Sequence, residues 1–366
     1  MPRWARVQDM QAVRTLWQER FGDSDAFADF FFRERARPET TVVFDEEGCI
    51  SSALQVLPAA VCVRGRTVHA AMLCGVSTAR QFEGRGHMGA CLRFAMQALR
   101  QTGCALVVQR PVDFLIYRRF SFVPVSDAQF FTLAPDLYAG LPASVSAAVH
   151  PGLLPQMQAL YARFCRPYST WLIRTAADFS CKLSDYLCDG GEGWLLYDSH
   201  GLAEAYAFCE SGNDGCLQLR EAAWLSEDAM QRMFAALCQK ASRRGLQFSG
   251  RLPVNIDVPF STRKTAFGAA SVANTAQLLQ TVFNDPDFCI RIREGAAEGG
   301  TFDLAGRRTN RRPDAVLDAG QLAQLACGYR SLRELSCEGA QIFDMDRAEA
   351  FDRQWPKQPC FTWDEY

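Results

Sequence analysis

The stretch Val76-Ser77-Thr78-Ala79-Arg80-Gln81-Phe82-Glu83-Gly84-Arg85-Gly86-His87-Met88-Gly89-Ala90-Cys91-Leu92 constrains this chain most. An extended run ends near Thr78, passes a glycine-bearing turn and enters an amphipathic helix from about residue 86 to 102, with Leu92, Ala95, Met96 and Leu99 on one face. Gly84 and Gly86 let the backbone come close to a ligand, and the first N–H groups of a helix lack intrahelical partners. The junction is therefore a cradle for an anion such as a pyrophosphate. Gly103 stops the helix, and residues 105–109 read as the next strand.

Upstream, Met10, Val13, Leu16 and Trp17 have helical spacing, and the aromatic run Phe27, Phe30, Phe31 and Phe32 completes a helical pair. Residues 41–44 and 49–57 flank the turn Asp45-Glu46-Glu47-Gly48, and residues 60–63 and 68–78 flank Arg64-Gly65-Arg66, which predicts antiparallel hairpins. After Ala134-Pro135, the breakers Gly140, Pro142, Pro151, Gly152 and Pro155 mark a linker. Beyond it the order partly recurs: a helix at 176–187, a hairpin of 194–197 with 203–210, a strand at 216–221 and a helix at 227–243. A last segment from near Asp287 reads as strands at 288–292 and 300–304, a helix at 322–327, the stretch 331–335 and a helix at about 347–354. The expected class is α/β (α+β), with domains 1–135, 136–286 and 287–366; at roughly 150 residues per domain, two or three fit this length.

The 39 basic and 41 acidic side chains leave a net charge of −2, which calls for neither nucleic acid nor an anionic membrane. The N-terminus lacks an apolar leader, and no apolar run approaches the ~18 residues of a membrane span, so a cytoplasmic protein is expected. The 15 cysteines are scattered singly through apolar segments without Cys-x-x-Cys, and the four histidines form no cluster. They read as small buried hydrophobes in a reducing compartment, with no metal site.

Gly84-x-Gly86-x-x-Gly89 also spells the dinucleotide fingerprint of a nicotinamide-dependent oxidoreductase. That fingerprint follows its strand immediately, sits in a parallel unit and has an acidic residue some 20 positions on. Here about six residues intervene, the preceding strands read as hairpins, and the next strand ends in Leu106-Val107-Val108-Gln109. The oxidoreductase stays as the lesser alternative.

Gln81-Phe82-Glu83-Gly84-Arg85-Gly86 matches the Gln/Arg-x-x-Gly-x-Gly/Ala motif of GCN5-related N-acetyltransferases, and Phe114-Leu115-Ile116-Tyr117-Arg118-Arg119-Phe120-Ser121-Phe122 resembles their later segment of a tyrosine followed by Phe-Gly-Phe. Ser121 stands where glycine is usual. With an eroded second unit and a third domain similar to sterol carrier proteins, the whole chain resembles the enhanced-intracellular-survival branch of that family.

The resemblance implies acetyl-coenzyme A as co-substrate, the edge Val76, Ser77 and Thr78 along its pantetheine, and Phe82, Gly84, Arg85, Gly86, His87, Met88 and Gly89 around its pyrophosphate. It implies a primary-amine acceptor, either a small polyamine of the aminoglycoside kind or a protein lysine, and assembly into a homo-oligomer. An alkylammonium has a pKa near ~10.4 and is not a nucleophile, so a base must take its proton and an acid should meet the leaving thiolate. Residues 69–76 offer no glutamate for the task. In the branch resembled, the base is the terminal carboxylate, here of Tyr366, and the acid a tyrosine, here Tyr117. His87 is the other candidate for general base, but it reads as a surface residue at the helix start, where the dipole disfavours an imidazolium. The second unit's junction has no glycine, a bulky Trp224 and two carboxylates, Glu227 and Asp228, in the first helical turn, so it is expected not to bind coenzyme A. A non-catalytic module, with a vestigial loop and a third domain holding a lipid or protein, is the other alternative.

Overall fold

The structure, a computed structural model, describes residues 1–138, 145–212, 215–293, 295, 298–362 and 364. The chain opens with β1 (Pro2–Trp4), α1 (Met10–Phe21) and α2 (Asp25–Glu34), followed by β2 (Thr41–Glu46), β3 (Cys49–Val63) and β4 (Arg66–Thr78). Next come α3 (His87–Gln101), β5 (Leu106–Gln109), α4 (Phe114–Arg118) and β6 (Val123–Leu133). Then follow β7 (Val145–Ala148), α5 (Leu154–Cys165), β8 (Thr170–Ile173), α6 (Ala176–Cys188), β9 (Glu192–Tyr197), β10 (Ala203–Ser211), β11 (Cys216–Trp224), α7 (Glu227–Arg243), β12 (Gln247–Pro253) and β13 (Arg263–Val272). The chain closes with α8 (Thr275–Val282), β14 (Cys289–Ile292), β15 (Gly300–Asp303), β16 (Ala315–Leu317), α9 (Ala319–Cys327), α10 (Leu332–Cys337), β17 (Gln341–Ile342) and α11 (Met345–Gln354).

Among the described residues one 13-stranded sheet runs in the order β1-β2-β3-β4-β5-β13-β6-β12-β11-β10-β9-β7, with β8 on the outer edge of β3. Hairpins build β2–β3–β4, as the polar glycine turns predict, while β4–β5 and β11–β12 are parallel. The strands predicted at 49–57 and 60–63 are one strand, β3. Pro58 falls where this is tolerated, because on that edge β2 ends its pairing at Gln55 and β8 begins at Ala60, so the missing N–H leaves no ladder bond unmade.

The two repeated units share strands. β13 inserts between β5 and β6, and β6 turns its other edge to β12, so the late strand completes the early half of the sheet and the early strand the late half. On one face of the early half, α3 lays Leu92, Ala95 and Met96 on Leu54, Val56 and Leu73. On the other, Trp17, Phe30 and Phe31 pack with Leu57, Met72 and Cys74, and this core continues into α8, α9 and the small sheet β15-β14-β16-β17.

Arg64, at the tip of the β3–β4 hairpin, joins these parts by donating to the carbonyls of Leu325, Ala326, Trp355 and Pro356 at 2.8–3.3 Å. The carbonyls of Leu325 and Ala326 lie in the last turn of α9, where a cation meets the negative helix end. Among the described residues no helix is long and apolar enough to cross a membrane.

Candidate active site

β4 and β5 pair only from Ala70–Leu106 to Met72–Val108, and β4 then runs six residues further to Thr78. The register against β3 slips between Ala53 and Gln55, which places a bulge at Gly75-Val76. Gly75 has φ +59°, and a Cβ there would lie 2.1 Å from both Gln55 Oε1 and the Trp17 ring, so no other residue fits. The bulge re-aims the β4 backbone where its β5 partner is gone. A cleft of about 600 Å³ occupies the divergence, lined by Gly75, Val76, Gln109, Arg110 and Tyr117 and by residues of α1, α6, β11 and β12.

The strand-to-helix junction has the predicted glycine-turned form. After a single 3₁₀ turn at Arg80–Phe82, Gly84 (φ +76°) and Gly86 (φ +82°) turn the chain into α3, whose N-cap is Gly86 with no side-chain cap and no acid in the first turn. A Cβ at Gly84 or Gly86 would meet nothing within 4 Å, so the left-handed backbone, not protein packing, calls for glycine there. At Gly89 a Cβ would lie 3.1 Å from the Phe120 ring; this glycine serves helix packing.

The predicted binding residues divide. Val76 and Tyr117 line the cleft, while Ser77 and Thr78 lie past the bulge, where Ser52 Oγ bonds the Ser77 carbonyl (2.7 Å) and Thr78 Oγ1 (3.0 Å). Arg85 is exposed over the Phe82 ring with Glu46 at 3.7 Å, and Met88 is half-buried in the α3 core. His87 differs from its expected surface place. Its ring is buried, stacked 3.9 Å from Phe44 and hydrogen-bonded at 2.8 Å to Ser51 through Nδ1, with Glu46 Oε2 lying 2.8 Å from Nε2. An imidazole buried between Phe44, Ser51 and Glu46 is packed into the protein rather than presented at the surface.

Tyr117 sits on α4, started by Asp113, whose carboxylate accepts from the Leu115 N–H. Burial pushes its hydroxyl pKa up, so it stays protonated through neutral pH. Tyr366 lies outside the described residues. The chain leading to it is tucked in: the Phe361 N–H donates to Thr170 O, Phe361 packs on Phe164 and Tyr168, and Asp364 bonds Arg174 at 3.0 Å.

Sequence reasoning missed that buried network. Arg174 grips Glu221 in a fork at 2.6 and 2.8 Å, and Tyr206 and Tyr186 donate to Glu221 at 2.7 and 3.2 Å. Burial raises the Glu221 carboxyl, but the Arg174 charge and hydrogen bonds overcome this and hold it below the usual range. A lone carboxylate between Leu219 and Ala222-Ala223 was the available signal.

Residues 2–125 match the family model of the acetyltransferase (GNAT) domain. Solved structures share the fold of the whole chain. A GCN5-related N-acetyltransferase from Anabaena variabilis superimposes with TM-score 0.85 over 100% of both chains at 16% identity. One from Kribbella flavida gives 0.81 over 100% of this chain and 98% of that one at 15%. Eis1 from Mycobacterium abscessus gives 0.78 over 100% of both at 13%. No curated protein matches the chain in sequence. Residues 2–125 thus form an acetyltransferase (GNAT) domain, and the chain as a whole has the fold of these tandem structures, Eis1 among them.

Proposed function

We propose that this protein transfers an acetyl group from acetyl-coenzyme A to a primary amine by direct attack, with one coenzyme site in residues 1–135. The observation that carries the reading is the junction of β4 and α3: an uncapped, glycine-turned helix N-terminus that follows the strand whose divergence from β5 opens a cleft, with a protonated tyrosine lining that cleft. Backbone N–H groups of residues 84–89 would hold the pyrophosphate, and the freed β4 edge at the Gly75-Val76 bulge would pair with the pantetheine amides. The acyl carbon gains a bond to the amine nitrogen and loses its bond to sulfur. The base takes one proton from the ammonium before attack; the tetrahedral nitrogen then loses a second, which replaces the one Tyr117 gives to the departing thiolate. Residues 136–286 wall the acceptor side, and residues 287–366 anchor the tail. The scattered cysteines suit a reducing cytoplasm.

The base we assign is the Tyr366 carboxylate. Its support is the course of the tail, in which buried Asp364 borders a cavity shared with Gln109 and Arg110 and the chain runs two residues further. A short C-terminal tag should lower turnover about 10²- to 10⁴-fold, the usual worth of a general base, while coenzyme affinity stays near normal. Undiminished turnover in thiol-release kinetics would remove the tail from the reaction.

A further inference from the structure

In the N-terminal half Arg3, Arg14 and Arg20 each bond a carboxylate, at 2.5–2.8 Å. Two arginines beside the start of α3 differ. Arg93 lies four residues after Gly89 on that helix, and Arg119 directly follows α4. Both are exposed, and neither guanidinium has an ion pair or hydrogen bond among the described residues. They converge on one ring. A Cβ at Gly89 would lie 3.1 Å from Phe120 Cζ and 3.4 Å from Arg93 Nη1, and the Arg119 guanidinium carbon lies 4.9 Å from the Phe120 centroid. Phe120 is buried, so its ring is a fixed platform for both cations. The first turn of α3 holds no acid, and Glu46, which reaches this junction, is shared by Arg85 and His87. Two like charges beside the positive end of a helix repel each other and the dipole, and an anion bound there relieves both.

We propose that Arg93 and Arg119 hold the 3′-phosphate of coenzyme A, so the donor is a free acyl-coenzyme A and not an acyl group on the phosphopantetheine arm of a carrier protein. The proposal rests on the acyl-transfer reading above and concerns the part of the donor by which it is selected. Coenzyme A has two separate anionic centres, its pyrophosphate and a monoester on the 3′-hydroxyl of the ribose. Backbone N–H groups of residues 84–89 serve the first, because donors at a helix start converge on one point. The second carries a charge of about −1.5 to −2 at neutral pH and three acceptor oxygens, which guanidinium groups bind as forks. A phosphopantetheine arm has a single phosphate, a diester, and leaves both arginines idle. The ring beneath Arg119 restrains its guanidinium, so less side-chain freedom is lost when the phosphate binds.

The test is calorimetric titration of the full chain with coenzyme A, with dephospho-coenzyme A, which lacks the 3′-phosphate alone, and with phosphopantetheine. Coenzyme A should bind roughly ten- to hundredfold more tightly than the dephospho form, as charge-assisted hydrogen bonds imply. Added salt should shrink that ratio, since both arginines are exposed. Arg93→Gln and Arg119→Gln should each weaken coenzyme A about three- to tenfold and leave the dephospho form within about twofold, and the double variant should bring the two ligands within about twofold of each other. Equal binding of the two nucleotides by the wild type would overturn the proposal and leave the acyl-transfer reading standing. Variants that lose both forms alike would do the same, by moving the arginines to the pyrophosphate. Phosphopantetheine binding as tightly as coenzyme A would restore a carrier-protein donor and overturn the proposal, and binding of no ligand at all would sink the acyl-transfer reading with it.

Discussion

The β4–α3 and β11–α7 junctions occupy equivalent places in the two halves of the sheet and have opposite chemistry. At α3 the helix opens on Gly86 with no capping side chain and no acid. At α7 the Ser226 hydroxyl accepts from the Ala229 N–H, Glu227 and Asp228 fill the first turn, and Arg232 ties Asp228 to Glu204. One helix start has no side-chain cap, and the other is satisfied by its own chain. The strands repeat the contrast. Past its last pair with β12, β11 carries Glu221 into a buried network with Arg174, Tyr206 and Tyr186, whereas β4 and β5 part around an open cleft. A helix N-terminus is an anion site only where the sequence leaves it uncapped and lets backbone approach.

The largest effect should come from the open half. Tyr117→Phe should cut turnover about 10²- to 10⁴-fold, some 3 to 5 kcal/mol of barrier, with acetyl-coenzyme A affinity retained. Equal turnover by the variant in single-turnover kinetics would reduce Tyr117 to a packing residue.

The closed half should answer through stability. Glu221→Gln leaves Arg174 buried with Asp364 as its remaining carboxylate partner, and losing one member of a buried pair costs about 3–5 kcal/mol. The carboxyl's folded pKa is depressed, so its contribution is fully present above the unfolded value of ~4.3 and is lost as pH falls through the folded value. Urea melts from pH 7 down to pH 3 should therefore show wild type and variant converging towards the acid end; a gap that is constant with pH would mean the glutamate's charge is idle.

Smallest is the cap itself. Ser226→Ala should cost about 1 kcal/mol, seen as a lower melting midpoint, and should leave coenzyme affinity untouched. A change in that affinity would break the division of labour between the halves.

Much of the open half is legible in sequence, because its chemistry is local. The glycines at 84 and 86 beyond a strand, with an amphipathic helix after them, specify the open junction, and the helix that carries Tyr117 lies in the segment that the motif marks. What escaped depends on distant pairing. Nothing near Gly75 announces the bulge, since the residues that demand glycine there, Gln55 and Trp17, come from β3 and α1. His87 reads as a surface residue until β2 and β3 bring Phe44, Glu46 and Ser51 around it. The exchange of β6 and β13 was invisible for the same reason, because a strand's pattern shows which face is buried but not which neighbour it joins.

The most direct test of the contrast is the number of coenzyme sites and where they are lost. Titration calorimetry of the intact chain with acetyl-coenzyme A should give one site. Gly86→Val should abolish it, since the side chain would project into open space where the ligand must approach, while the protein stays folded at a cost of about 1–2 kcal/mol for the left-handed backbone. Two sites in the wild type, or unchanged affinity in a folded Gly86→Val protein, would contradict the assignment of the open junction as the coenzyme site.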